Sequence, residues 1–116
     1  MTRLTSGVAA DAARLPVPFT AVAPEQVVEG TPLTRFIDLD ETGERSIGVW
    51  EHSPGASRDV ESDEVFVVLA GAATVAFEHP ELPPIELRPG SVVRLEAGMR
   101  TVWTVRETLR KVYVSP

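Results

Sequence analysis

Few residues in this chain can move a proton, hold a metal or polarise a bond, and most of those sit on short apolar runs. Glu64 heads EVFVVLAG, His52 ends GVWEH, Lys111 and Tyr113 lie two apart in RKVYV, and the two tryptophans are Trp50 and Trp103. Having no cysteine excludes thiolate ligands, a disulfide scaffold and a sulfur nucleophile. The serines show no nucleophile elbow, and no glycine-rich loop links a strand to a helix to cradle a phosphate. What remains is the chemistry of carboxylate, imidazole, ammonium and phenol: general acid and base work, or electrostatic fixing of a small ligand.

Strand parity says which of these groups converge. Side chains alternate between faces, so Glu64 shares a face with Phe66 and Val68 and stands at the rim if those two point inward. A carboxylate there either meets a ligand or is the structural partner of a basic residue such as Lys111 or Arg58. Lys111 and Tyr113 present an ammonium and a phenol to the same cavity, or else the lysine snorkels on the outer face. Trp103 shares parity with Thr101 and Val105, and either fills the core or forms a stacking wall. His52 lies on the face of Trp50, as a base or substitute ligand beside Glu64 or as an ordinary polar residue at a strand end. His79, in EHPELPP, is expected in an exposed loop. Asp63 and Glu64 alternate to opposite faces and make a poor acid and base pair. Glu51 and Glu61 are expected as solvated rim acids, and Arg100, Arg106, Arg110 and Lys111 as solvent-facing strand positions.

The elements that must position these groups are β-strands. RFIDL, RSIGVWEH, EVFVVLA, ATVAFE, PIEL, SVVRLE, RTVWTV and RKVYV are short β-rich runs, separated by ETGE, SPGA, LAGA, HPELPP, RPGS and EAGM. Glycines and prolines at that spacing predict an all-β sandwich or barrel. GVAADAARL predicts a short helix or an arm, and PVPFTAV an edge strand. At 116 residues the chain is the size of one domain, with residues 1–17 as a possible arm and a core over roughly 34–114. The net charge of -6 argues against nucleic acid, which demands a basic stripe. No run approaches the about eighteen apolar residues of a membrane helix, and the first residues lack a secretory apolar core, so a cytoplasmic location is expected.

Glu64, six residues and then Gly71 match the second half of the first cupin motif. Gly90, the strand SVVRL and EAG ending at Gly98 match the glycine frame of the second. GVWEHSPGASR, DEVFVVLAG, LRPGSVVRLEAGMRTVWTV and ETLRKVYV resemble the small cupin domains related to (S)-ureidoglycine aminohydrolase and to ethanolamine-utilisation cupins, over roughly residues 44–114. The resemblance implies a double-stranded β-helix, or jelly roll. It also implies a metal held by histidines and a glutamate, and there this chain departs from it. ASRDVES contains no histidine, Glu96 stands at the proline position, Thr101 at the histidine position of the second motif and Val105 at the asparagine position. Only Glu64 survives, so no metal is expected, or at most a weak manganese, iron, nickel or zinc site on Glu64 and His52.

Three functions follow as expectations. The first is a cupin with a degenerate metal site that binds a small polar metabolite in the barrel, using Glu64, Trp50, Trp103, Lys111, Tyr113 and His52. The second is an enzyme on a small nitrogen-containing compound, as the aminohydrolase resemblance implies. The third is a structural module with a filled barrel. A homodimer through the sheets is expected in each case.

Overall fold

Alternating apolar and polar side chains make strands nearly everywhere after residue 32 of the computed structural model, which describes residues 2–116. The strands are β1 Thr20–Ala21, β2 Val27–Glu29, β3 Leu33–Glu41, β4 Ser46–His52, β5 Gly55–Val60, β6 Glu64–His79, β7 Leu82–Leu87, β8 Val92–Leu95 and β9 Arg100–Ser115. One 3-10 turn, Pro24–Gln26, precedes β2. No helix among the described residues is long and apolar enough to cross a membrane.

β6 and β9 organise the rest. Each is 16 residues long, and they pair antiparallel from Val65 opposite Val114 to His79 opposite Arg100. The register shifts repeatedly between Val68 and Ala73, and such irregularities bend a strand and increase its twist. Gly71 occupies the bend with φ +99, and a Cβ there would collide with the carbonyl of Thr108. Glycine alone meets both demands without strain.

Because both long strands bend, each serves two sheets. In one, the order is β1-β3-β4-β9-β6-β8, using the second half of β9 and the first half of β6. In the other, β2 pairs with β5, β5 with the first half of β9, and β7 with the second half of β6. The sheet curls into a jelly-roll half-barrel. Its core is Phe66, Val68, Ala73, Val75, Leu87, Leu95, Trp103, Val105 and Leu109. Each large apolar side chain buried there contributes about 1.5–3 kcal/mol.

Several expectations change. LAGA is no hairpin turn; it lies inside β6, and the runs read as two strands are one. The same holds for RTVWTV and RKVYV, both within β9. GASRDV, read in part as a turn, is β5: its backbone is recruited by β9 on one side and β2 on the other, whatever its own propensity. The edge strand expected from PVPFTAV shrinks to Thr20–Ala21 beside β3.

The first residues form an arm, with turns where a helix was possible. Arg14 and Leu15 donate to the Asp11 carbonyl, but a stretch this short, closed by Pro16, cannot repay helix nucleation. Its backbone is used elsewhere, since the Ala12 carbonyl accepts from Arg110 at 2.9 Å and the Val17 carbonyl from Arg35 at 2.7 Å. Arg3 reaches Asp40 at 2.8 Å. The arm covers part of the outer face of β3, β4 and β9, which explains two further corrections. Glu51 and Arg110, expected in solvent, are 5% and 7% exposed, with Glu51 held between Arg35 and Arg110.

Candidate functional site

The two sheets leave a cavity of about 500 Å³ between them at one end, bordered by side chains of β3, β4, β5, β6 and β9 and by residues 21–26. Glu64, Trp50, Trp103, Lys111 and Tyr113 all line it, together with Thr34, Phe36, Ser57, Arg58 and Asp59. Its size is ordinary for a small-molecule site.

Lys111 is the centre. It is 4% exposed, and its Nζ donates to Glu64 Oε1 at 2.7 Å. The same nitrogen lies 4.7 Å from the Trp50 ring centroid, 4.3 Å from Phe66 and 4.8 Å from Trp103. Carboxylate and ring faces together replace the water that a buried ammonium loses. An ammonium carries three donors, and among the described residues Glu64 is its sole hydrogen-bond acceptor. The snorkelling alternative for Lys111 gives way, because β9 turns this residue inward after its bend.

The rings are fixed in turn. Trp50 and Trp103 face each other across the sheets with centroids 5.4 Å apart, and Phe66 lies 5.7 Å from Trp103. The Trp103 indole N–H is shared between Glu61 Oε1 at 3.0 Å and Thr101 Oγ1 at 3.1 Å, while the Thr101 hydroxyl donates to Glu61 at 2.7 Å. Glu61 is therefore no solvated rim acid: it is 7% exposed, sharing the inward parity of Ser57 and Asp59. Burial raises its carboxyl above the ordinary range, and the donors from Thr101 and Trp103 offset only part of that. Nothing in ASRDVES marked Glu61 as internal, since its apolar neighbours come from β9.

Tyr113 donates to Asp38 Oδ1 at 2.6 Å, and burial followed by this bond to Asp38 raises its phenol well above the ordinary value. Opposite it in the β4–β9 register is Gly48, where any Cβ would collide with the phenol oxygen.

His52 corrects the expectation. It lies inward beside Trp50, with ring centroids 5.5 Å apart, but it is fully buried and does not border the cavity. Its Nδ1 pairs with the Ser53 carbonyl at 2.6 Å and its Nε2 with Ser57 Oγ at 2.9 Å. That assigns a neutral ring donating from Nδ1 and accepting at Nε2, in keeping with burial pushing its pKa down. Both nitrogens are engaged, so His52 is neither ligand nor base here. A metal on Glu64 and His52 is likewise not supported by the donor set. Among the described residues no group of three or more histidines and carboxylates is placed to hold an ion, and the Lys111 ammonium already meets Glu64. These residues do not fit manganese, iron, nickel or zinc.

The chain resembles solved structures of low identity, which bear on the fold. Clostridium difficile EutQ is 16% identical with a TM-score of 0.63, covering 72% of this chain and 67% of that one. A putative ethanolamine utilization protein Q from Salmonella typhimurium LT2 is 17% identical with a TM-score of 0.61, covering 87% and 95%. A protein of unknown function from Pseudomonas syringae pv. tomato is 20% identical with a TM-score of 0.72, covering 88% of this chain but 45% of its own. No curated protein matches. A family model for the EutQ-like cupin domain matches residues 39–113, which include all of β6, most of β9 and the Lys111–Glu64 pair, and the chain belongs to that EutQ-like cupin family.

Proposed function

We propose that this cupin binds a small polar metabolite in the cavity between its sheets. The observation that carries the reading is Lys111: a buried ammonium bordering open space, with one donor committed to Glu64 and no other acceptor among the described residues. Unpaired donors in such a setting cost free energy, which water or a ligand oxygen offsets. Trp50 and Trp103 supply apolar walls, and Ser57, Asp59 and Glu64 supply polar groups along them. The third expectation, a barrel filled by its own side chains, is not supported by an opening of this size. Catalysis on a nitrogen-containing compound through a metal is not supported by the donors described above.

The test is a metabolite screen read by the indole N–H resonances of the two tryptophans, run on the native chain and on the double variant Lys111→Met with Glu64→Gln. Removing both charges avoids leaving either one unpaired. Compounds that move the indole signals should lose binding to the double variant while its fold persists. Equal binding by both proteins would overturn the reading. As part of the same proposal, the protein is cytoplasmic and forms a homodimer through its outer sheet face, where Val65, Val67, Val92 and Val114 are exposed. Sedimentation should show a dimer that Val67→Glu converts to monomer; a native monomer would end that part.

A further inference from the structure

The charges around the cavity are not all paired with one another. Lys111 and Glu64 offset each other across 2.7 Å, whereas Asp59, on the opposite wall, and Arg58, at the rim, line the same opening without an ion pair between them. Asp59 belongs to the β5 sheet, whereas Lys111, Glu64 and Trp50 belong to the other, so the two poles face one another across the opening. Among the described residues the one hydrogen bond Asp59 accepts is from the backbone N–H of Val60, at 2.8 Å, and no basic side chain pairs with it. Arg58, its neighbour, alternates to the other face of β5 and is exposed at the rim.

Phe36 supplies the second half of the argument. It pairs with Trp50 across β3 and β4 and borders the cavity, yet it is 61% exposed. An aromatic face left open across the cavity from a carboxylate without an ion pair suits a cation with apolar substituents, which gains both from the ion pair and from the ring quadrupole. An anion would meet Asp59 and Glu64, the one buried ammonium is already committed to Glu64, and the other cation of the lining, Arg58, is exposed at the rim where water screens it. A purely apolar guest would leave the remaining Lys111 donors unmet. A bare metal ion finds too few ligands.

Resting on the reading of the cavity as a binding site, we propose that its ligand is a small organic cation: a protonated amine lies between Asp59 and Phe36, while a neutral oxygen of the same molecule accepts from Lys111. The state of Asp59 agrees. Asp59 is exposed on one side, yet partial desolvation against the cavity wall raises its carboxyl, the Val60 N–H and Lys111 offset part of this, and the like charge of Glu64 adds to it; a bound ammonium favours the ionised form.

Four probe compounds separate the possibilities: glycinamide, with ammonium and amide oxygen; propylamine, with ammonium alone; acetamide, with oxygen alone; and acetate. Each is titrated while the indole N–H signals of Trp50 and Trp103 are followed. Glycinamide should bind about tenfold more tightly than propylamine or acetamide, with acetate weakest. Asp59→Asn should abolish the advantage of the two amines and leave acetamide unchanged. Acetate or acetamide binding as tightly as glycinamide, or an unchanged order in Asp59→Asn, overturns the cation proposal while the cavity reading stands. If none of the four moves either indole signal, both readings fail.

Discussion

Two buried ion clusters lie on opposite faces of β4 and β9, and they are built to different ends. On the outer face, Glu51 meets Arg35 on one oxygen and Arg110 on the other, the latter through Nη2 at 2.6 Å and Nε at 2.7 Å. The guanidiniums then place further donors on the carbonyls of Val17 and Ala12. This cluster is covered by the chain itself, with the arm as its lid and Arg35 Nε as its one buried donor without a partner among the described residues. On the inner face Lys111 has one carboxylate and three rings, Asp59 has no cation paired with it among the described residues, and about 500 Å³ of space lies between them. Cover makes a clasp, and an opening makes a receptor.

The largest expected effect comes from breaking the clasp. Glu51→Ala leaves two guanidiniums without their counter-charge in a covered site, and removing one partner of a buried pair costs about 3–5 kcal/mol. Thermal unfolding should show the drop, while ligands of the inner cavity should keep their affinity in protein that remains folded. A parallel loss of binding would mean that the two faces are coupled.

Next comes the inner pair. Glu64→Gln strands Lys111 among aromatic rings and should cost about 1–3 kcal/mol, less than the outer change because the rings still hold the ammonium. Adding Lys111→Met should restore most of that stability without restoring binding. A single variant that melts like the native protein and binds like it would remove both roles of Glu64.

Smaller effects should appear as opposite slopes of stability against pH. Glu61 has its carboxyl raised by burial above 4.5, so the folded state holds more protons than the unfolded one in that window and stability falls as pH rises from about 4.5 towards the folded value. Glu61→Gln keeps an acceptor for Trp103 and should flatten the slope and raise the melting temperature at neutral pH. His52 is lowered below 6.5 by burial, so there the unfolded state binds the extra proton and stability falls as pH drops below about 6.5. His52→Gln should flatten that limb. Unaltered pH profiles in the two variants would show that neither group carries the linkage.

Part of this contrast was legible in the sequence. Alternation gave most of the strand runs from about residue 34 onward, and parity placed Glu64 with Phe66 and Lys111 with Tyr113. What it could not supply was the cover: the arm that seals Glu51 is far off in the chain, with Ala12 and Arg110 98 positions apart. β5 was hidden because Ser57, Arg58 and Asp59 have no apolar rhythm and their strand character is imposed by β9 and β2. Glu61 was hidden with it. His52 was read to the right side, but the serines that occupy both its nitrogens follow from a local turn, not from any pattern.

The separation between Ala12 and Arg110 also has a consequence in time. Translation proceeds at roughly 5–20 residues per second, so about 5–20 s pass between the synthesis of the two ends of that one hydrogen bond. Until β9 is made, the arm has only its partners on β3, Arg35 and Asp40, to rest on. A segment in which Leu4, Val8 and Leu15 are kept apart by alanines and polar residues tolerates the delay, whereas a row of valines like the one on β6 would offer itself to other nascent chains. The composition of the arm suits an element that is made early and docks late.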